Sequence, residues 1–234
     1  GMVQLRPEDV GKYAIVPGPR DRLEVLMKKL ENPVRNFSFM EYAMYTGAYE
    51  GIKVTVINGG RFSPDTAITT EIICAAGIPT VIRIGSCGAL REDIKVGDLV
   101  LATGVVRSDG VTPQYVEPSF VTAADTKLTT TMNDLTKEMG LRVHSGAVWT
   151  TDALLQETRQ RVSEAVSKGA IAVDMVSAAF LTICQLKKVR AAAVLSVSDN
   201  IITGELGFMN PLFYRAESAM IDLALKTVKK LERK

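Results

Sequence analysis

The sequence predicts a single α/β domain with a central, mixed and twisted β-sheet flanked by helices. Short β-rich runs alternate along the chain with helical patterns, which is typical of strands stacked in a sheet with helices packed over it. The length of 234 residues suits one domain. No linker, repeat or low-complexity tract divides residues 1–234, so we expect one domain throughout.

Five runs are the strand candidates. Several are apolar on both faces, which favours central strands, and the helical segments between them favour a partly parallel sheet. The runs are YAIVPG from Tyr13, KVTVING from Lys53, TVIRIG from Thr80, DLVLATGVV from Asp98 and VRAAAVLSVSD from Val189.

Capping residues mark three helix starts. Ser63 and Asn210 each precede a proline, which together give an N-cap and a first-turn proline. Thr122, with Asp125 three residues later, resembles a capping box ahead of TKLTTTMNDLTKEMG. The final helix is predicted over about residues 211–233, because apolar residues recur there at helical spacing and basic residues complement its negative end.

Charge and composition argue against several classes of partner. With 28 basic and 26 acidic residues, the formal net charge of +2 gives no electrostatic case for nucleic acid or an anionic membrane surface. No apolar run approaches the roughly 18 residues that span a bilayer, and the start lacks a secretion signal, so we expect a cytoplasmic protein with a small-molecule partner. Cys74, Cys87 and Cys184 are too dispersed for a zinc site or a redox pair, and we expect no metal and no cofactor.

Arg83 interrupts the apolar run TVIRIGSCGAL and is the first candidate binding residue. A buried guanidinium stays charged and is costly without a partner, so it needs an anion. A salt bridge or an edge-strand position facing water are the simpler alternatives. The turn at residues 85–88 follows directly, and its backbone N–H groups and the Ser86 hydroxyl can hold an oxyanion beside the guanidinium. A phosphate fits this pattern.

A second glycine turn ends the first strand candidate, in IVPGPRDRLEV. Gly18 precedes Arg20 and Arg22 there, at the start of a helical segment, where an anion site is physically reasonable. Arginines in a first helical turn are more often solvated than ligand-bound, so this turn gains weight only in combination with Arg83.

Motifs over nearly the whole chain resemble one known family. They are the VPG turn near the start, YTGAYEGIKVTVINGG, EIICAAGIPTVIRIGSCGAL, VGDLVLATGVVRSDG, VDM and SVSDN, and RIGSCGA is the most specific. Together they resemble the nucleoside phosphorylases, which include hexameric bacterial purine nucleoside phosphorylases and uridine phosphorylases. The resemblance implies a nucleoside phosphorylase-like domain that uses inorganic phosphate as co-substrate. It also implies a homo-oligomer built of dimers, with a hexamer as the expected state.

The resemblance assigns roles to individual residues. Four would bind phosphate: Gly18, Arg22, Arg83 and Ser86. Three would contact the nucleoside: Cys87, Gly88 and Met175. Asp199 would be the catalytic acid that meets the purine ring, because cleavage leaves negative charge on the departing base. Without the resemblance, an N-cap or turn role after a strand explains Asp199 equally well.

The resemblance slightly favours purine over uridine as the base. Asp199 and the short span between Asp152 and Asp174 are similar to the purine enzymes. Gln156 and Arg159 stand where uridine enzymes place a glutamine and an arginine that read uracil, so both join the candidate nucleoside-binding residues. Uridine phosphorylase is therefore the alternative, and solvent-facing positions on a helix are the simpler explanation of this pair.

The chain also departs from the family pattern. Val176 stands where the family has a glutamate that accepts hydrogen bonds from the ribose hydroxyls. The loss of this acceptor leaves open whether the sugar is ribose or deoxyribose. Five further positions bear on the departures. In the family a neighbouring subunit supplies an arginine to the phosphate and a histidine to the sugar; the arginine aligns roughly with Met40 here, and the histidine aligns near Met2. Arg35 and Arg61 are candidate replacements for that arginine. Leu154 stands where relatives have an aromatic residue that stacks on the base.

His144 is the single histidine, and we expect it on the surface or in a loop. The departures keep two other functions open: a nucleosidase that uses water, and a noncatalytic nucleoside-binding paralogue. Arg83 argues against the first because it implies an anionic nucleophile, and Asp199 argues against the second.

Overall fold

The computed structural model describes residues 5–233, with nine strands and six α-helices. The strands are β1 (Tyr13–Pro17), β2 (Glu31–Phe39), β3 (Tyr42–Tyr49), β4 (Ile52–Ile57), β5 (Thr80–Ala89), β6 (Leu99–Ser108), β7 (Val143–Thr151), β8 (Ala170–Asp174) and β9 (Arg190–Asn200). The helices are α1 (Arg20–Met27), α2 (Ser63–Ala75), α3 (Thr126–Glu138), α4 (Arg159–Ser167), α5 (Ser177–Leu186) and α6 (Pro211–Glu232). None of these helices is long and apolar enough to cross a membrane.

One mixed sheet contains all nine strands, in the order β2-β3-β4-β1-β5-β8-β7-β6-β9. β5 pairs in parallel with both β1 and β9 and antiparallel with β8. Because β9 also pairs with β6, the strands β5, β8, β7, β6 and β9 close into a ring, and β1 to β4 extend from it as an open wing. The predicted mixed sheet is confirmed, and its closure is a feature that the sequence did not indicate.

The two faces of β5 contact different helix layers. Val81 and Cys87 pack in the core that includes α2 and α5, whereas Ile82 and Ile84 pack in the core of α1, α3 and α6. Since side chains alternate along a strand, Arg83 shares the face of Val81 and therefore points toward the α2 and α5 layer. Its position in a central strand explains its burial.

The five predicted strands correspond to β1, β4, β5, β6 and β9, while four strands were missed. β2 is the outer strand of the wing, and its side chains are exposed or half-buried, so it lacks an apolar run. β8 has only five residues, although all are buried. A search for apolar runs therefore finds the centre of this sheet more readily than its short or solvated strands.

The structure corrects two of the three predicted helix caps. Asn210 caps α6 as predicted, because its side-chain oxygen accepts a backbone N–H bond of 3.0 Å from the first turn. The cap of α3 is Asp125, which accepts a backbone bond of 2.8 Å, whereas the Thr122 hydroxyl is buried against another threonine. Ser63 is the first residue of α2 and not its N-cap. The Asp65 carboxylate instead accepts a hydrogen bond of 2.9 Å from the backbone N–H of Phe62, the residue before Ser63.

His144 differs from expectation, and two of the three cysteines lie closer together than their spacing in the sequence suggests. His144 lies in β7 with its side chain 14% exposed, and its Nε2 is 2.9 Å from the Asp98 carboxylate. The prediction of a surface or loop position for His144 is therefore wrong, because the residue pairs within the sheet and contacts Asp98. Cys74 of α2 and Cys184 of α5 are free thiols, and the nearby Cys184 thiol lowers the pKa of Cys74. Separation in the sequence therefore did not keep them apart in the fold.

We expect Phe180→Ala to lower the free energy of unfolding by about 3–5 kcal/mol, because it leaves a cavity between α5 and the sheet. Phe180 is fully buried in the core. Denaturant unfolding followed by the fluorescence of Trp149 measures the loss. The control is Val25→Ala on the exposed side of α1, where the change should stay within about 0.5 kcal/mol. Equal, small losses in both variants would contradict this packing.

Candidate active site

A cavity of about 760 Å³ gathers most of the predicted site residues. This volume lies within the range of about 300–1,000 Å³ that is usual for small-molecule sites. Eight of the ten predicted site residues line it: Gly18, Arg22, Arg83, Ser86, Cys87, Gly88, Met175 and Asp199. The cavity lies at the carboxyl ends of the parallel strands β1, β5 and β9, where α/β sheets commonly bind ligands.

Arg83 is a buried cation with unused hydrogen-bond donors. The residue is only 2% exposed, and its Nη2 donates to the carbonyl of Gly60 at 2.8 Å. Its Nε and Nη1 have no hydrogen-bond partner among the described residues, and no described carboxylate forms an ion pair with it. Burial lowers the pKa of Arg83 to about 10. The geometry thus leaves a charged group that an anion in the cavity would satisfy.

Two glycines leave room for this guanidinium. A Cβ on Gly59 would lie 2.8 Å from Nη1 of Arg83 and 2.3 Å from a methyl group of Val16. A Cβ on Gly18 would lie 3.3 Å from Nη2 of Arg83. The absence of side chains at these turns therefore allows the backbone to pass close to the cation.

Two further arginines line the same part of the cavity. Arg22 of α1 forms an ion pair with Glu217 of α6, so its charge is already partnered. Arg61 is exposed and lies 5.8 Å from the centre of the Phe62 ring. Arg61, which the sequence analysis named as a candidate replacement for the neighbouring subunit's arginine, thus lines the cavity of its own chain. Arg35, on the exposed strand β2, does not line it.

The ends of β5 and β9 form another part of the cavity wall. Their pairing is irregular after Cys87, so that Gly88 lies opposite Asp199. The Asp199 carboxylate accepts a hydrogen bond of 2.8 Å from the Ser198 hydroxyl and remains partly exposed to the cavity. Cys87 is buried, and desolvation raises the pKa of its thiol well above the ordinary value. Cys87 thus contributes an uncharged side chain to the cavity wall, whereas Asp199 presents a carboxyl group to the cavity.

Asp174 fixes the segment that forms one cavity wall. Its buried carboxylate accepts hydrogen bonds from the Thr150 hydroxyl at 2.8 Å and from the Ser177 backbone at 3.0 Å. Burial raises the pKa of Asp174, while these hydrogen bonds lower it. These bonds hold the start of α5, so that Met175 and Val176 line the cavity. Val176 presents an apolar side chain at the position where the family resemblance led us to expect a carboxylate.

Gln156 and Arg159 do not line this cavity. Gln156 ends the 3-10 turn Leu154–Gln156, Arg159 begins α4, and both side chains are exposed. Both leucines of that turn line the cavity, as does Glu157, which sequence reasoning missed. Burial, followed by the nearby charge of Asp199, raises the pKa of Glu157 to about 7. Its only sequence signal was its position beside Gln156.

The arrangement combines a cation that has unused donors with four acidic residues that line one cavity: Asp21, Glu157, Asp174 and Asp199. Arg83 can bind an anion, and Asp199 and Glu157 can exchange protons or hydrogen bonds with a polar ring. Among residues 5–233, no group of three or more His, Cys, Asp or Glu side chains is placed to hold a metal ion.

Comparison with known proteins agrees with this geometry. A uridine phosphorylase of Thermococcus kodakarensis is 30% identical over 219 residues, covering 88% of this chain and 79% of that protein. A DeoD-type purine nucleoside phosphorylase of Jannaschia sp. is 31% identical over 202 residues, covering 85% of this chain and 86% of that protein.

The structural comparison extends over almost the whole chain. A crystal structure of purine nucleoside phosphorylase from Toxoplasma gondii, in complex with immucillin-H, matches with a TM-score of 0.89 at 25% identity. It covers 98% of this chain and 94% of that chain. The family model described as the phosphorylase superfamily matches residues 12–228. The chain therefore belongs to the phosphorylase superfamily.

Proposed function

We propose that this protein is a nucleoside phosphorylase, which cleaves the N-glycosidic bond of a nucleoside to give a free base and a sugar 1-phosphate. The observation that carries this proposal is Arg83, whose guanidinium is buried at the cavity with two unpartnered nitrogens. Inorganic phosphate is the anionic nucleophile that would satisfy it. The names of the relatives, which include uridine and purine nucleoside phosphorylases, support the same reaction.

Phosphate would attack the sugar from the arginine side of the cavity. Arg83 and the Ser86 hydroxyl would donate hydrogen bonds to phosphate oxygens, and Gly18 would let the turn after β1 approach the anion closely. One phosphate oxygen forms a bond to C1 of the sugar as the bond from C1 to the base nitrogen breaks. The electron pair of the broken bond goes to the base, and the negative phosphate stabilises the positive charge that develops on the sugar.

Asp199 would stabilise the departing base. Its carboxyl group lines the cavity and accepts one hydrogen bond from the Ser198 hydroxyl, which orients it. A proton or hydrogen bond from Asp199 to a ring nitrogen neutralises the charge that the base acquires. Cys87 and Gly88 would lie beside the base and Met175 against the sugar.

Purine nucleosides are the favoured substrates. Gln156 and Arg159, the pair typical of uracil recognition, lie outside the described cavity, whereas Asp199 lies in its wall. Uridine remains the second candidate, because relatives of about equal identity carry either name. Val176 offers no hydrogen-bond acceptor, so a sugar that lacks a hydroxyl group should be tolerated at this wall.

The active form is proposed to be a homo-oligomer built of dimers, with a hexamer as the expected state. Phe62, Leu154 and Leu155 remain exposed in the described chain, and Leu155 is 92% exposed. Both leucines line the cavity. A neighbouring subunit at this mouth would cover apolar surface and help to exclude water from the reaction.

Arg83→Met is expected to raise the KM for phosphate by about 10- to 100-fold, because hydrogen bonds from a charged group contribute about 1.5–3 kcal/mol. Stability should not fall in proportion, since the variant also removes an unpartnered buried charge. Phosphate titrations at saturating inosine and thermal unfolding measure both effects. Arg215→Met on the exposed side of α6 is the control. A variant that unfolds more easily but keeps the wild-type KM for phosphate would make Arg83 a structural residue.

Asp199→Asn is expected to lower kcat for inosine by about 100-fold or more while KM changes little, because an amide cannot give up a proton to the base. Initial rates of hypoxanthine release at saturating phosphate provide the measurement. Asp134→Asn on the exposed side of α3 is the matched control and should retain the wild-type kcat. An unchanged kcat in Asp199→Asn would remove the acid role from this residue.

A further inference from the structure

Arg22 lines the cavity, but the carboxylate that pairs with it does not. Nη2 of Arg22 donates a hydrogen bond to Oε1 of Glu217, and this contact is also an ion pair. Glu217 belongs to α6 and is not part of the described cavity wall. The side chain of Arg22 is 13% exposed and that of Glu217 is 23% exposed, so water screens the pair only partly. The ion pair therefore connects α6 to a cation of the cavity.

The bond to Glu217 leaves further donors on the Arg22 guanidinium. A guanidinium carries five N–H groups in a planar fork. Nε and Nη1 of Arg22 donate to no residue between 5 and 233. The neighbouring Asp21 carboxylate accepts the backbone N–H of Arg22 at 2.9 Å, and no ion pair joins it to the Arg22 side chain in the described chain. Arg22 can therefore bind a second anion while Nη2 stays on Glu217.

Arg22 and Arg83 form a pair of neighbouring cations at the cavity. Burial lowers the pKa of Arg83, and the positive charge of Arg22 lowers it as well, so the two side chains lie near each other. Their like charges repel, and an arginine without a partner is spread over many rotamers. The Glu217 carboxylate opposes both effects, because it attracts Arg22 and restricts its rotamers.

We propose that Glu217 is a positioning residue, which holds Arg22 beside Arg83 so that both guanidinium groups bind one phosphate. This role rests on the proposed phosphorolysis, which supplies phosphate as the ligand. Phosphate oxygens would accept hydrogen bonds from Nε or Nη1 of Arg22, while Nη2 remains bonded to Glu217. Glu217 itself would contact neither the phosphate nor the nucleoside.

The alternative role for this carboxylate is competition with phosphate for Arg22. The contact through a single nitrogen favours positioning, because it leaves the other two nitrogens of Arg22 to the ligand. The two roles also predict opposite effects when the charge of Glu217 is removed. Loss of a positioning residue weakens phosphate binding, whereas loss of a competitor strengthens it.

The test measures phosphate affinity in Glu217→Gln, which keeps the size of the side chain and removes its charge. Calorimetry with inorganic phosphate gives Kd, and initial rates at saturating inosine give kcat and the KM for phosphate. Glu50→Gln is the matched control, because it breaks another ion pair of α6, with Lys229 at 2.6 Å, outside the described cavity. Thermal unfolding shows whether each variant is folded.

In Glu217→Gln the Kd and the KM for phosphate are expected to rise about five- to tenfold, because phosphate binding must then order the Arg22 side chain. The kcat at saturating phosphate should stay within about twofold of wild type, since a positioning effect on binding is overcome by excess ligand. Glu50→Gln should match wild type in all three values. Unchanged phosphate affinity in Glu217→Gln overturns the proposal, and tighter binding overturns it in favour of competition.

A double-mutant comparison tests whether Glu217 acts through Arg22. Arg22→Met should raise the KM for phosphate, and adding Glu217→Gln to it should raise the KM no further. Effects that multiply in the double variant overturn the proposal. This comparison also serves if Glu217→Gln alone does not fold, because the double variant leaves neither charge of the pair without its partner.

Phosphate binding and turnover separate this role from the proposed reaction. If wild-type protein binds phosphate and Glu217→Gln loses affinity, but neither cleaves a nucleoside, phosphorolysis fails while the role of Glu217 stands. If turnover requires phosphate and Glu217→Gln keeps the wild-type Kd, phosphorolysis stands while the role of Glu217 fails.

Discussion

The buried positive charge of Arg83 is the constraint on which the site depends. A guanidinium cannot release its proton at neutral pH, so a central strand that carries one must provide an anion or bind one. The described fold provides only the carbonyl of Gly60, together with the more distant charges of Asp174 and Asp65. Glycines at positions 18 and 59 then keep the space around the cation free of side chains. The fold thus keeps a cation with unpartnered donors at the cavity, at some cost in stability.

The rest of the cavity follows from how β5 joins two parts of the sheet. β5 is shared by the open wing and the closed ring, so the turn after β1 and the end of β9 meet beside it. The irregular pairing at Gly88 brings Asp199 to the cavity, and the hydrogen bonds of Asp174 fix the start of α5 on the third side. A cation and carboxyl groups therefore face one space from strands that are distant in sequence.

The sequence predicted the elements whose side chains are buried and missed those that depend on context. Runs apolar on both faces gave five of the strands, whereas the solvated strand β2 has no such run and β8 offers only four consecutive apolar residues. Arg83 could be predicted because a charge in an apolar run is conspicuous. Glu157 could not, because its burial depends on how the turn before α4 folds toward β9. The choice of Gln156 and Arg159 fell in a segment that lines the described cavity through Leu154, Leu155 and Glu157, but these two side chains do not line it.

Phosphorus NMR of the complete reaction tests most directly whether the Arg83 site delivers phosphate to a sugar. Purified protein is incubated with inosine and inorganic phosphate, and the ³¹P spectrum is followed while the released base is quantified. Phosphorolysis predicts a new phosphate-ester resonance that grows in step with free hypoxanthine and requires added phosphate. Release of hypoxanthine with an unchanged inorganic phosphate signal would show that water is the nucleophile and would contradict the proposed function.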